Sequence, residues 1–332
     1  MTVRIGLIGA GGIAGAHVRG YVSSPETVQV SAVADVSADN AKRRADETGA
    51  SKVYSDFNDL VNDPDVDAVD ICLPHHLHAP AILAAAKAGK HILCEKPLCL
   101  TVAEADSIAA AIESSGVTLM CAHNQLYMPP VAKAKELLES GTIGTVYEVR
   151  TTDSFFNNFD PANMGWRAEK EKIGGGELID TGYHPTYLML HLAGAVPTEV
   201  AAMLSRHRLD FMDGEDSAQV LVRFGDGKVG HIVTSWAYQA AGCTERFSAV
   251  GDEGQLWSDG ASLWVRKRDE DAEQFTFDPV NTIPAEVVDF AARIESGTRP
   301  IHNQVEGINV LKVILGAYAS AAEKRIVTLG DL

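Results

Sequence analysis

The sequence predicts an α/β protein of two parts: a parallel sheet wound with helices, then a second domain that mixes strands and helices. Three observations predict it. A short apolar strand, Val3 to Ile8, runs straight into Gly9-Ala10-Gly11-Gly12-Ile13-Ala14-Gly15. Strand-length apolar runs then alternate with helical stretches as far as Ala122. Beyond that point, strand-like runs at Val146–Asp153, Glu199–Leu204, Ala218–Phe224, Val229–Trp236 and Arg246–Val250 are separated by turn residues such as Gly225-Asp226-Gly227.

The first turn has the GxGxxA form. Gly9 permits a tight turn, Gly11 lets backbone N–H groups approach a pyrophosphate, and Ala14 keeps the helix running through Val22 close to the strand. Gly12 and Ile13 complete the turn, and the helix N-terminus offers partial positive charge to phosphate. The next strand, Val28 to Ala34, ends in Asp35. A carboxylate there accepts both ribose hydroxyls of an adenosine and repels a 2′-phosphate, so NAD is expected in preference to NADP. Lys42, Arg43 and Arg44 on the following helix soften that preference. The alternative role for Asp35 is a helix N-cap, since Ser37 and Asp39 share its turn.

The alternation continues with a strand at Val66–Leu73, a helix at His78–Ala88, a strand at His91–Cys94, a helix at Val102–Ser114 and a strand at Val117–Ala122. Such a sheet is parallel with right-handed crossovers, and ligands gather at the carboxyl ends of its strands. Those ends carry Asp35, Pro74-His75-His76-Leu77-His78, Glu95-Lys96-Pro97 and His123-Asn124. The three histidines have no acidic residue or cysteine at ligand spacing, so no metal is expected. They are expected to cap the following helix and line a cofactor ribose. Lys96 follows the apolar run Ile92-Leu93-Cys94, and Pro97 stiffens its loop with a bond that can be cis. A lysine held there, partly desolvated, can exchange a proton with a substrate hydroxyl. The alternative is a Glu95–Lys96 ion pair at a strand end.

A second motif is Gly174-Gly175-Gly176-Glu177-Leu178-Ile179-Asp180-Thr181-Gly182-Tyr183-His184. On a continuous helix Asp180 and His184 share a face, and the carboxylate can hold the imidazole as a general base. The glycines are expected to let the main chain approach a bound molecule. The alternative is a surface ion pair behind a flexible loop.

Composition narrows the classes. Of 332 residues 46% are hydrophobic and 22% charged, and 28 Lys plus Arg face 45 Asp plus Glu, for a formal charge of −17. So acidic a chain disfavours nucleic acid and anionic membrane surfaces as partners. No apolar run is expected to approach the roughly 20 residues that cross a bilayer, and the N-terminus has no signal-peptide layout. Cys72, Cys94, Cys99, Cys121 and Cys243 are odd in number and lack a CxxC spacing. They read as reduced core thiols of a cytoplasmic protein. A long amphipathic stretch, Gln304 to Lys324, is expected to close the chain as a helix.

On these residues the chain resembles the GFO/IDH/MocA family of oxidoreductases (glucose–fructose oxidoreductase, inositol dehydrogenase and relatives). The resemblance rests on the Gly9–Ala14 turn, Pro74 with His78, Gly89 to Pro97, Trp166-Arg167, and Gly174-Gly175-Gly176 with Asp180 and His184. It implies a Rossmann NAD(P)-binding domain over residues 1–123. It also implies a substrate-binding and oligomerisation domain over 124–332, whose large, mostly antiparallel open sheet packs against another subunit in a dimer or tetramer.

The resemblance further implies that Lys96, Asp180 and His184 act together beside the nicotinamide. Pro74, His75, His78, Glu95, Asn124, Trp166 and Arg167 join the glycine turn and Asp35 around the cofactor. Tyr127 and Arg167 join the catalytic three around the substrate. The implied reaction is hydride transfer between nicotinamide and a secondary hydroxyl of a sugar, sugar derivative or cyclic polyol. The alternatives are glycosidic cleavage by transient oxidation with retained NAD, and a non-catalytic NAD- and sugar-binding protein. Three departures touch the substrate side. His75 stands where the family often has asparagine, His123 to Tyr127 lacks an arginine, and no acidic residue lies three positions after His184.

Overall fold

The structure, a computed structural model, describes residues 2–239 and 245–332; Cys243 lies outside the described residues. The chain begins with β1 (Val3–Ile8), α1 (Ala14–Ser23), β2 (Val28–Ala34), α2 (Ala38–Thr48), β3 (Lys52–Tyr54), α3 (Phe57–Val61), β4 (Ala68–Ile71), α4 (His78–Lys87), β5 (His91–Cys94), α5 (Val102–Ser115) and β6 (Leu119–Cys121). These six strands form one parallel sheet in the order β3-β2-β1-β4-β5-β6. Helices cover both faces of such a sheet, so its central strands are mostly apolar. Ile5, Leu7, Ile8, Val69, Ile71 and Leu93 are accordingly fully buried. Helix ends follow local chemistry: Ser37 caps α2, a Thr101–Glu104 capping box starts α5, and left-handed Gly49 and Gly116 stop them.

Next come α6 (Pro129–Glu139), β7 (Val146–Ser154), α7 (Lys170–Ile173), α8 (Glu177–Asp180), α9 (Tyr183–Ala193), β8 (Pro197–Ser205), β9 (Ser217–Phe224), β10 (Val229–Ser235), β11 (Phe247–Gly251), β12 (Gly254–Ser258), β13 (Ser262–Lys267) and β14 (Glu273–Thr276). The chain ends with α10 (Thr282–Ser296), α11 (Gln304–Glu323) and β15 (Val327–Thr328). A nine-stranded sheet runs β14-β13-β12-β11-β7-β10-β9-β8-β15, antiparallel everywhere except the β7–β10 pair. Along β9, Ala218, Val220, Val222 and Phe224 are buried and alternate with exposed Gln219, Leu221 and Arg223. One face of this sheet is core, and α9 packs on β7 and β10.

The chain forms two compact units that are not contiguous in sequence. Residues 1–124 with 281–308 make the first, and 125–280 with 309–332 the second. A cut after residue 123 therefore strands the segment 281–308, whose α10 packs on α1. Gly20 marks that contact, since a methyl group on it would lie 2.4 Å from Val287.

Helix α11 departs from expectation: by length and composition it is apolar enough to cross a bilayer, with mean hydropathy 1.3. Burial accounts for that apolarity in part, with 44% of its most apolar window inside the protein. Cys72, Cys94, Cys99 and Cys121 are free and buried, as expected of core thiols.

Candidate active site residues

The glycine turn is built as its sequence implies. Gly9 has φ +90°, and a methyl group there would lie 2.4 Å from the Cys72 carbonyl oxygen, so only glycine fits. At Gly11 and Gly12 a methyl group would meet no atom within 4 Å, which leaves open space over the turn. Helix α1 starts there with no side-chain cap, so its first N–H groups suit an anionic ligand. A pyrophosphate fits this cradle. Ile13 lies at its mouth, 41% exposed, and Ala14 is fully buried beneath it.

Asp35 is not the cap of α2; Ser37 is. Its Oδ2 accepts the Ala10 N–H at 2.7 Å and its Oδ1 the Ser37 N–H at 2.7 Å. The carboxylate is thus fixed against the glycine turn, with lone pairs to spare. Arg43 donates to the Ala10 carbonyl and Arg44 to the Gly11 carbonyl, at 3.3 and 2.9 Å. Lys42 pairs with Asp46 instead.

At the neighbouring rim, Pro74 precedes a single 3-10 turn, His75–Leu77. His78, expected to line a ribose, is fully buried. Its Nδ1 lies 2.6 Å from the Pro97 carbonyl and its Nε2 2.8 Å from the Leu73 carbonyl, so it braces two loops. His75 is also buried, its ring centroid 5.9 Å from that of His78. Neither ring presents much surface to a ligand. His76 is the part-exposed member, and its Nδ1 is a buried nitrogen with no protein partner among the described residues. The Lys96–Pro97 bond is cis. Glu95 does not simply pair with Lys96 as an ion pair: Oε1 contacts His17 Nε2 at 3.0 Å, and Oε2 accepts the Lys96 backbone N–H at 3.1 Å. Asn124 donates to Thr282 Oγ1 at 2.9 Å, and His123 Nδ1 lies 2.6 Å from His302 Nδ1.

In the second unit the glycine motif differs from expectation. Gly174 ends α7 in the left-handed region at φ +92°. A methyl group on Gly175 would lie 2.1 Å from Tyr318 Oη, and one on Gly176 2.2 Å from the Glu215 carbonyl oxygen. Gly176 N–H donates to Tyr318 Oη, Glu177 N–H to the Glu215 carbonyl and Leu178 N–H to Glu215 Oε1. Gly175 and Gly176 thus admit the protein's own atoms.

The helix expected to carry both Asp180 and His184 is broken. Asp180 ends α8, Thr181-Gly182 turns, and His184 falls in the first turn of α9. Asp180 is buried, and its Oδ2 accepts from Arg167 Nε at 2.9 Å. The Arg167 guanidinium in turn lies 4.4 Å from the Trp166 ring centroid. His184 is part-exposed, and its Nδ1 lies 2.9 Å from the hydroxyl of fully buried Tyr187. That hydroxyl also accepts the Gln125 N–H at 3.1 Å. Tyr127, part-exposed, ends the adjacent 3-10 turn Asn124–Tyr127.

Sequence reasoning passed over Tyr187, although it lies three residues after His184, the spacing at which helical side chains meet. It fills the position whose missing acid counted as a departure, and it supplies the contact to the ring. Glu177 was passed over too. It is fully buried, bonded by Thr234 Oγ1, and burial pushes its carboxyl well above the ordinary range. Burial thus favours its protonated form.

Known proteins match this architecture along its length. The family model for the GFO/IDH/MocA oxidoreductases, with an NAD-binding Rossmann fold, matches residues 3–123, and that for the GFO/IDH/MocA C-terminal domain matches residues 131–257. Myo-inositol 2-dehydrogenase of Thermotoga maritima is 28% identical over 341 residues, covering 99% of each chain. Levoglucosan dehydrogenase of Pseudarthrobacter phenanthrenivorans is 29% identical over 316 residues, 86% of this chain and 81% of that one. A solved levoglucosan dehydrogenase in complex with NADH and levoglucosan matches with a TM-score of 0.89 and 27% identity, covering 99% of this chain and 100% of that one. With both domains matched in order, the chain belongs to the GFO/IDH/MocA family and is an NAD(P)-dependent oxidoreductase.

Proposed function

We propose that this oxidoreductase moves a hydride between NAD and a secondary hydroxyl of a sugar, sugar derivative or cyclic polyol, with Lys96, Asp180 and His184 as the catalytic residues. Relatives named for myo-inositol and levoglucosan support the substrate class. The observation that carries the chemistry is His184, a part-exposed imidazole steadied at Nδ1 by a buried phenol. NAD, when bound, supplies the hydride acceptor. His184 takes the hydroxyl proton at Nε2 while its Nδ1–H donates to Tyr187. Lys96 hydrogen-bonds the same oxygen and offsets the alkoxide-like charge that develops there. Asp180, held by Arg167, accepts from a neighbouring hydroxyl, so vicinal diols are favoured. NADH absorbance with a panel of inositols, aldoses and glycosides tests this. Glycoside cleavage without net NADH, or binding without turnover, would overturn it.

Preference for NAD over NADP rests on Asp35, whose carboxylate is fixed against the turn by two N–H groups. Asp35→Ala is expected to shift the NAD/NADP affinity ratio toward NADP by about tenfold, roughly 1.4 kcal/mol. An unchanged ratio would remove that assignment.

A homo-oligomer, dimer or tetramer, is supported by the second unit's open sheet face. It exposes Met203 (81%) and Leu221 (50%) beside a groove of about 960 Å³ that Ile326 also lines. A monomer in sedimentation at micromolar concentration would overturn this. The four free thiols fit a reducing, cytoplasmic setting.

A further inference from the structure

In the first turn of α1, fully buried, His17 is held between two carboxylates. Its Nδ1 lies 2.9 Å from Asp70 Oδ2 and its Nε2 3.0 Å from Glu95 Oε1. Where both carboxylates accept, both ring nitrogens donate, which is the imidazolium form. Burial opposes that charge, but attraction and hydrogen bonding to Asp70 outweigh it and hold the ring well above the ordinary histidine range.

Tyr21 Oη donates to Asp70 Oδ2 at 2.8 Å. Burial, then Asp70, pushes the Cys72 thiol up to about 12, 3.6 Å from Asp70 Oδ1. Glu286 of α10 is fully buried, its oxygens without hydrogen-bond partners among the described residues, and burial pushes its carboxyl well above the ordinary range. His17, Asp70 and Cys72 have ligand atoms within 4.8 Å of one another, as a metal site does. A His–Asp separation of 2.9 Å is a hydrogen bond. Two ligands on one tetrahedral zinc would lie ~3.3 Å apart, from bonds of ~2 Å.

The other oxygen of Glu95 holds the Lys96 N–H, and His78 holds the Pro97 carbonyl. The loop that presents Lys96 is thus gripped on both sides by buried imidazoles. We propose that His17 is a positioning residue for Lys96, which it fixes through Glu95. The inference rests on the reading that Lys96 serves the substrate oxygen.

The test uses the full chain with NAD and myo-inositol, or the panel member it oxidises fastest. His17→Gln is expected to lower kcat at least tenfold with the NAD Kd within twofold of wild type. Lys96→Ala lowers it further, and adding His17→Gln to Lys96→Ala costs nothing more. Multiplicative losses in the double variant would overturn the proposal. Near-normal turnover in Lys96→Ala alone would instead overturn the catalytic reading. Glu95→Gln leaves one side-chain oxygen for two donors, the His17 ring and the Lys96 N–H. It weakens the relay while His17 stays in place and is expected to show the same non-additivity, which covers a misfolded His17 variant. Nitrogen-15 NMR of the wild-type ring at pH 8 is expected to show an imidazolium; a neutral ring would overturn the proposal without any variant.

Discussion

At residues 9–12 and again at 174–176 the backbone runs through glycines, and in sequence the two stretches look alike. In the first, methyl groups on Gly11 and Gly12 would meet nothing within 4 Å. In the second, methyl groups on Gly175 and Gly176 would strike Tyr318 and the Glu215 backbone. One stretch borders open space, and the other is filled with the protein's own atoms. A missing side chain alone does not say which; the neighbours, far away in sequence, decide.

The largest expected effects come from the proposed catalytic side chains. Lys96→Ala and His184→Ala should each lower turnover by about 10²–10⁴-fold, the range for lost proton transfer, while NAD binds within a few-fold of wild type. Calorimetric NAD titration beside steady-state kinetics checks this, and near-normal activity in either variant would remove the mechanism. Next, Gly175→Ala or Gly176→Ala should cost ~1–3 kcal/mol of stability by overpacking. A melting temperature equal to that of wild type would break the contrast from that side.

Gly11→Ala should do the reverse. The apo melting temperature stays put while the NAD Kd rises about tenfold, or roughly 1.4 kcal/mol. A stability loss with unchanged NAD affinity would erase the distinction between the stretches.

The smallest effect concerns pH. Glu177 adjoins the second stretch, and burial raises its folded pKa above the ordinary 4.5. Its contribution to stability is complete below pH 4.5 and is lost as pH climbs toward the raised folded value. Wild type should therefore lose stability more steeply from pH 5 to pH 8 than Glu177→Gln. Parallel denaturation curves across that range would show the carboxyl is not held neutral.

Strands were readable as apolar runs, though Val66–Leu73 and Val117–Ala122 are strand only over Ala68–Ile71 and Leu119–Cys121. Val3–Ile8, Val28–Ala34 and His91–Cys94 stand in the structure with the bounds their apolar runs imply. Lys52–Tyr54 and Phe57–Val61 escaped because three and five residues are too short to show a period. The carriers of the chemistry were visible as motifs, but their supports were not. A spacing of four between Asp180 and His184 implies one helix only if no turn intervenes. Gly182 makes that turn, where a methyl group would lie 2.7 Å from the Leu178 backbone. Arg167 and His17 reach their partners by tertiary approach, whereas Tyr187 meets His184 within one turn of the same helix. His78 and Glu177 show the converse, polar side chains spent inside the protein.

The return of residues 281–308 to the first unit bears on how the protein is made. As the chain leaves the ribosome, the six-stranded sheet is finished long before α10 exists to cover α1. Glu286, which that helix buries near His17, arrives equally late. The nucleotide-binding half thus waits, partly uncovered, for translation to pass through most of the other half.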